Sequence, residues 1–180
     1  MNRPSDVSKR ELGQLVDAGG ETAITFRRSS RHPPHAVWDA IATPDGLSAW
    51  LLCTSVRIDG RVGGTIEMIS GPAQYHSAGR ILAWMPPRLF EYEWHLAAVP
   101  EMPDGERAIF RYELLPERDG TQPVVTYRRL ARHTATGFLP GLHAFLDRLE
   151  AQLEGRPLPD WTARFAALGR QYPAWTDHEA

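Results

Sequence analysis

Residues 137–155 constrain what this chain can fold into more than any other stretch. Phe138, Leu142, Phe145, Leu146, Leu149 and Leu153 recur at helical spacing and form one apolar stripe. Pro140 suits a first helical turn, where its missing N–H matters little. Gly155, followed by Arg156 and Pro157, is a stop signal, because glycine accepts a left-handed C-cap and proline cannot extend the helix. The segments before it read mostly as strands, so one long helix must cover a sheet.

Composition narrows the setting. A chain of 180 residues with 42% hydrophobic content can bury a substantial single core. The net charge of −2, without a long basic block, argues against nucleic acid or an anionic membrane as the main partner. Cys53 is the one cysteine, which excludes an internal disulfide and a cysteine metal cluster. Neither an N-terminal apolar run nor a membrane-spanning stretch is legible, so a cytoplasmic setting without membrane insertion is expected.

In chain order, residues 1–20 form a polar arm, either frayed or docked by the weak apolar patch of Leu12, Leu15 and Val16. Residues 21–30 alternate as a first strand. Pro33-Pro34 opens a short helix to Ala42 with Val37, Trp38 and Ile41 inward, and Thr43-Pro44-Asp45 starts a second that ends near Trp50. This helix pair is expected to fill space under one end of the sheet rather than to cross it. Strands follow at 55–58, 62–69, 74–85, 88–97, 106–116 and 122–130. Gly71-Pro72, Pro86-Pro87, residues 100–105 and Asp119-Gly120 separate the later ones with the turn chemistry of adjacent antiparallel strands. After the long helix, Asp160 caps a further helix with Trp161, Phe165 and Leu168 on one face, and Tyr172 and Trp175 follow. This aromatic extension, residues 156–180, is expected to pack on the domain or against a second copy in a homodimer.

Residues 34–51, with Trp38, the Thr43-Pro44-Asp45 step and Trp50, resemble the opening of the SRPBCC superfamily (START/Bet v 1-like). Within it the match is to the branch described as activator of heat-shock protein 90 ATPase homologue-like. Arg61-Val62-Gly63-Gly64-Thr65, the run Gly79-Arg80-Ile81-Leu82-Ala83-Trp84-Met85-Pro86-Pro87-Arg88-Leu89-Phe90, and residues 141–149 fit in the expected order. The resemblance spans residues 21–155 as one domain. It implies an α+β helix-grip fold, a curved antiparallel sheet of about six to seven strands wrapped on the long C-terminal helix, with two short helices after the first strand. It also implies a cavity for a hydrophobic or amphipathic small molecule, and leaves the chemistry open because the scaffold is shared by carriers and enzymes.

The apolar face of strand 88–97 carries Phe90, Tyr92 and Trp94, continued by Phe110 and Tyr112 and then by Tyr127 on the following strands. Together with Trp38 and Trp50 from the short helices, and Phe138, Leu142, Phe145, Leu146 and Leu149 from the long one, these are the expected pocket lining. A buried phenol needs a partner, so three tyrosines on one face suggest a lined cavity rather than a dry core.

Glu91, Glu93 and His95 share the opposite face at a spacing too wide for one ion, and no metal or cofactor is expected. His143 lies beside the apolar stripe. It either serves a ligand as an acid–base group or pairs in solvent with Asp147 one turn later, and the solvated pair is favoured. His76 is open between the same readings. Arg27, Arg28, Arg31, Arg128, Arg129 and Arg132 form a basic rim if their strands pair. No nucleophile elbow or zinc-binding helix is present, and Gly63-Gly64 runs into a strand rather than a helix, so it is no phosphate cradle.

The expected function is therefore a binding protein that encloses a hydrophobic small molecule. The alternatives are a cyclase-, aromatase- or hydrolase-like enzyme using the pocket tyrosines with His143 or His76, and a chaperone co-factor in the stress response, implied by the family label alone.

Overall fold

The computed structural model describes residues 12–100 and 102–172. Trp175 and residues 1–11 of the arm lie outside the described residues. The first element is a hairpin of β1 (Gln14–Ala18) and β2 (Glu21–Arg27), turned by Gly19 and Gly20, both at positive φ as a tight hairpin turn requires. Two short helices follow, α1 (Pro34–Ala42) and α2 (Pro44–Trp50). Six strands come next: β3 (Ser55–Ile58), β4 (Thr65–Ser70), β5 (Tyr75–Met85), β6 (Leu89–Leu96), β7 (Glu106–Glu117) and β8 (Gly120–Leu130). Two helices end the described chain, α3 (Arg132–Leu153) and α4 (Trp161–Gly169).

The strands form one curved antiparallel sheet in the order β1-β2-β8-β7-β6-β5-β4-β3, with α3 held against it. This is the helix-grip architecture, with one strand more at the edge than the alternation of the sequence indicates. β1 leaves Leu15 and Val16 exposed, so it buries no face, and a strand without a buried face has weak period-two patterning.

The short helices differ from expectation in what they connect. β2 and β3 stand on opposite sides of the strand order, so α1 and α2 carry the chain from one side of the sheet to the other. The curvature makes so short a link sufficient: α1 packs on β7 and β8, and α2 packs on β3 and α3. Thr43 Oγ1 accepts the N–H of Gly46 at 3.1 Å and Pro44 opens the helix, which is the start signal legible in the sequence.

α3 begins at Arg132, well before the expected first turn, and Pro140 lies inside it. An interior proline removes one helical hydrogen bond, normally a helix-ending loss. Here Ala135 and Leu139, both buried, anchor the added N-terminal turns to the core and offset that loss.

The core is a ladder of rings. Trp38 meets Trp84 at 5.0 Å and Trp84 meets Phe90 at 5.0 Å. Phe90 then contacts Tyr92 at 4.8 Å, Tyr92 stacks on Phe110 at 5.8 Å, and Phe110 contacts Tyr127 at 4.9 Å. Tyr127 finally lies parallel to Phe138 of α3 at 6.0 Å, which joins sheet and helix through one aromatic column.

Candidate functional site

The column is packed at the Trp38 end and hollow at the Phe138 end. There α3 and the sheet leave a cavity of about 330 Å³, toward the small end of the range for small-molecule sites. The sheet contributes Met68, Tyr92, Trp94, Phe110, Tyr112 and Tyr127. α3 contributes Gly137, Phe138, Gly141, Leu142 and Phe145, positions that share one helical face. The β4–β5 turn adds Gly71, Pro72 and Ala73, and α4 adds Trp161 and Phe165. Pro72, Ala73 and Gly137 are exposed, which sets the mouth between that turn and the N-terminal half of α3. Gly71, at φ 73°, turns the chain within 3.6 Å of the Phe145 ring, measured from where a Cβ would stand.

Of the residues expected to line a pocket, Tyr92, Trp94, Phe110, Tyr112, Tyr127, Phe138, Leu142 and Phe145 surround this cavity. Trp38, Trp50, Phe90, Leu146 and Leu149 are buried elsewhere in the core. Trp38 and Phe90 belong to the packed end of the column, and the Trp50 indole donates to the Ala40 carbonyl at 3.0 Å, tying α2 to α1. Leu146 and Leu149 share the apolar stripe of α3, but a helix stripe is wider than the wall of one cavity, so part of it packs against other core residues.

Trp161 and Phe165 were legible only as an aromatic helix face. Their position at the cavity comes from Gly141, whose missing side chain lets the Trp161 ring approach: a Cβ there would stand 3.2 Å from it. Gly141 therefore makes room for α4. The buried Arg148 gave no sequence signal at all. It donates to the carbonyls of Trp50 (2.9 Å), Ala49 (3.1 Å) and Pro159 (2.5 Å), binding the end of α2 and the linker before α4 to one guanidinium.

No charged side chain is among the described residues lining the cavity. Its polar side-chain groups are hydroxyls and the indole N–H groups of Trp94 and Trp161. Burial pushes the phenols of Tyr92, Tyr112 and Tyr127 far above their ordinary range, so all three stay protonated. The hydroxyl of Tyr127 is buried without a hydrogen-bond partner, whereas those of Tyr92 and Tyr112 interact with each other. Cys53 lies outside the cavity lining, and burial raises its thiol to about 11.

His143 is fully buried, which corrects the expected solvated pair. It does face Asp147, with Nε2 3.5 Å from Oδ1, but from a closed site between α3, Phe26 of β2 and Tyr172. Asp147 also receives Arg28 at 3.2 Å and Arg164 at 2.6 Å. The helix position beside the apolar stripe is covered because the segments at both ends of the described chain fold over it. His76 stays on the surface, 2.7 Å from Glu67.

β2 and β8 do pair, which brings the arginines of the two strands together. Four of the six arginines pair with carboxylates, Arg28 with Asp147, Arg128 with Glu91 at 3.1 Å, Arg129 with Glu21 at 3.9 Å and Arg132 with Asp17 at 3.0 Å, which offsets most of that charge. Among the described residues no helix is long and apolar enough to cross a membrane.

The family profile described as "Activator of Hsp90 ATPase homolog 1-like protein" matches residues 31–154. No curated protein matches the chain. Among solved structures, CalU16 from Micromonospora echinospora is 22% identical, covering 89% of this chain and 91% of its own, with a TM-score of 0.67. A Bordetella parapertussis protein is 24% identical over 95% of this chain and 93% of its own, with a TM-score of 0.66. A Mesorhizobium loti protein is 24% identical, with a TM-score of 0.65, and is covered over 99% of its length by 76% of this chain. At these identities the likeness is one of fold.

Proposed function

This chain belongs to the activator of Hsp90 ATPase homolog 1-like family, and from that premise we propose that it is a binding protein for an uncharged hydrophobic or amphipathic small molecule. The observation that carries the proposal is the cavity of about 330 Å³ walled by aromatic and aliphatic side chains, with hydroxyls and indole N–H groups as its polar groups. Hydrophobic walls with a few fixed polar groups suit a ligand better than they suit a packed core. The unpartnered phenol of Tyr127 supports the same reading, because a buried hydroxyl without a partner costs about 1–3 kcal/mol that a ligand acceptor would offset.

An enzymatic role for the same pocket has less support. His143 is turned toward Tyr172 and Asp147 rather than into the cavity, and His76 pairs with Glu67 on the surface. The phenols are held protonated, which leaves them as donors and acceptors rather than bases. A chaperone co-factor role is supported by the family description alone.

Native mass spectrometry of the purified full chain, combined with displacement of a lipophilic dye, tests the binding role. A retained ligand or saturable dye binding is expected. The absence of both would refute it.

A further inference from the structure

We propose, building on that binding role, that α4 is the specificity element of the cavity, and that Trp161 and Phe165 select a flat, uncharged ring system by stacking. The family profile ends at residue 154, so this wall lies beyond the part of the chain that the profile matches. Trp161 and Phe165 are one helical turn apart, with ring centroids 4.9 Å apart and planes within 12°. Phe145 of α3 leans on Trp161 at 5.4 Å. Both α4 rings are only half-buried although they line an apolar cavity, so each keeps aromatic surface that no protein group covers.

α4 is held in place rather than loosely draped. Asp160 caps it by accepting the N–H of Ala163 at 2.7 Å, and Arg164 donates to Asp147 at 2.6 Å. The Trp161 indole donates to the Gly141 carbonyl at 3.3 Å, and Leu168 is fully buried beneath the helix. The rings are thus preorganised, which favours a rigid planar partner over a flexible one because neither side loses much conformational freedom on stacking. With no charge among the described residues of the lining to compensate a buried ion, the ligand's enclosed part must be neutral.

Fluorescence titration of the full chain with Nile red, a neutral fused-ring dye, tests this, with 1-decanol as a flexible neutral competitor. Trp161→Leu and Phe165→Leu are each expected to weaken Nile red by on the order of tenfold, against a change of about twofold or less for decanol. Trp161→Phe, which keeps a ring, is expected to recover most of the loss, and melts by circular dichroism confirm that the variants compared are folded. Leu142→Trp, which fills the cavity from α3, is expected to abolish binding of both probes.

If Leu142→Trp abolishes Nile red binding while the α4 variants bind as the wild type does, α4 has no selecting role and the cavity reading stands. Equal weakening of Nile red and decanol by the α4 variants would also overturn stacking selection. If the wild type binds neither probe, the cavity reading and this inference fall together.

Discussion

The Nδ1 atom of His143 lies 2.7 Å from the phenol oxygen of Tyr172, and that oxygen also accepts the backbone N–H of Gly13 at 2.9 Å. Three segments distant in sequence therefore meet at one buried site. With its oxygen already accepting from Gly13, Tyr172 is placed to donate its own proton to Nδ1. When Tyr172 donates, the imidazole proton sits on Nε2, 3.5 Å from Asp147 Oδ1.

Burial holds the His143 pKa below 6.5; hydrogen bonding to Asp147 opposes the shift, while Arg28 and Arg164 add to it and Asp147's charge counters them. Below 6.5 the unfolded chain takes up a proton at this position more readily than the folded one. Stability from this group is therefore present above 6.5 and lost as pH falls through the folded value. The melting temperature should fall as pH drops below 6.5, and the fall should be smaller in His143→Gln. Equal slopes in the two proteins would contradict this.

Asp147 titrates in a separate window. Burial pushes its carboxyl up, but the hydrogen bond and charge of His143, with Arg28 and Arg164, outweigh that and hold it at about 2. Its contribution is present above 3.8 and disappears only as pH falls through about 2. Asp147→Asn should remove stability at neutral pH and separate α4 from α3, read as increased protease cleavage in the linker at residues 154–160. Unchanged cleavage would show that α4 is held without this carboxylate.

Arg148→Met should destabilise the chain by about 2 kcal/mol, because the buried carbonyl of Trp50 and the partly buried carbonyls of Ala49 and Pro159 lose a charged donor. Urea unfolding measures it. A loss under about 1 kcal/mol would mean that water replaces the guanidinium at those carbonyls.

Tyr127→Phe should raise stability in the ligand-free protein by roughly 1 kcal/mol, since it removes a buried hydroxyl that has no partner. The same change should weaken any ligand that accepts from that hydroxyl. Lower stability in the variant would show that the phenol is already satisfied, for instance by water.

Cys53 should react slowly with iodoacetamide at neutral pH. Its thiol is half-buried, directed at the Leu47 carbonyl at 3.8 Å, and raised to about 11, so little thiolate exists. Labelling as fast as that of a free thiol would indicate local opening of the α2–β3 link.

The fold was legible wherever a buried face imposed a period. The six strands from β3 to β8, the short helices with Pro34 and Thr43-Pro44 at their starts, and the stripe of α3 all repeat at the spacing of the element they form. β1 escaped because it buries nothing, and the first turns of α3 escaped because Pro140 resembles a start from sequence alone. The aromatic face of β6, β7 and β8 was equally legible, since alternation places Tyr92, Tyr112 and Tyr127 on one side whatever the packing.

Sequence by itself determined which side chains point inward, because strand and helix periods are properties of the backbone. It could not decide which inward side chains touch each other and which border empty space. That choice depends on how far the sheet curls and how closely α3 and α4 approach it. Trp38 and Phe90 thus close one end of the ring column, while Tyr127 and Phe138 border a cavity at the other. The same applies to Gly141 and Trp161, twenty residues apart, whose close approach decides that α4 becomes a wall of the cavity. Local periodicity carries no information about such contacts between elements; only the tertiary structure does.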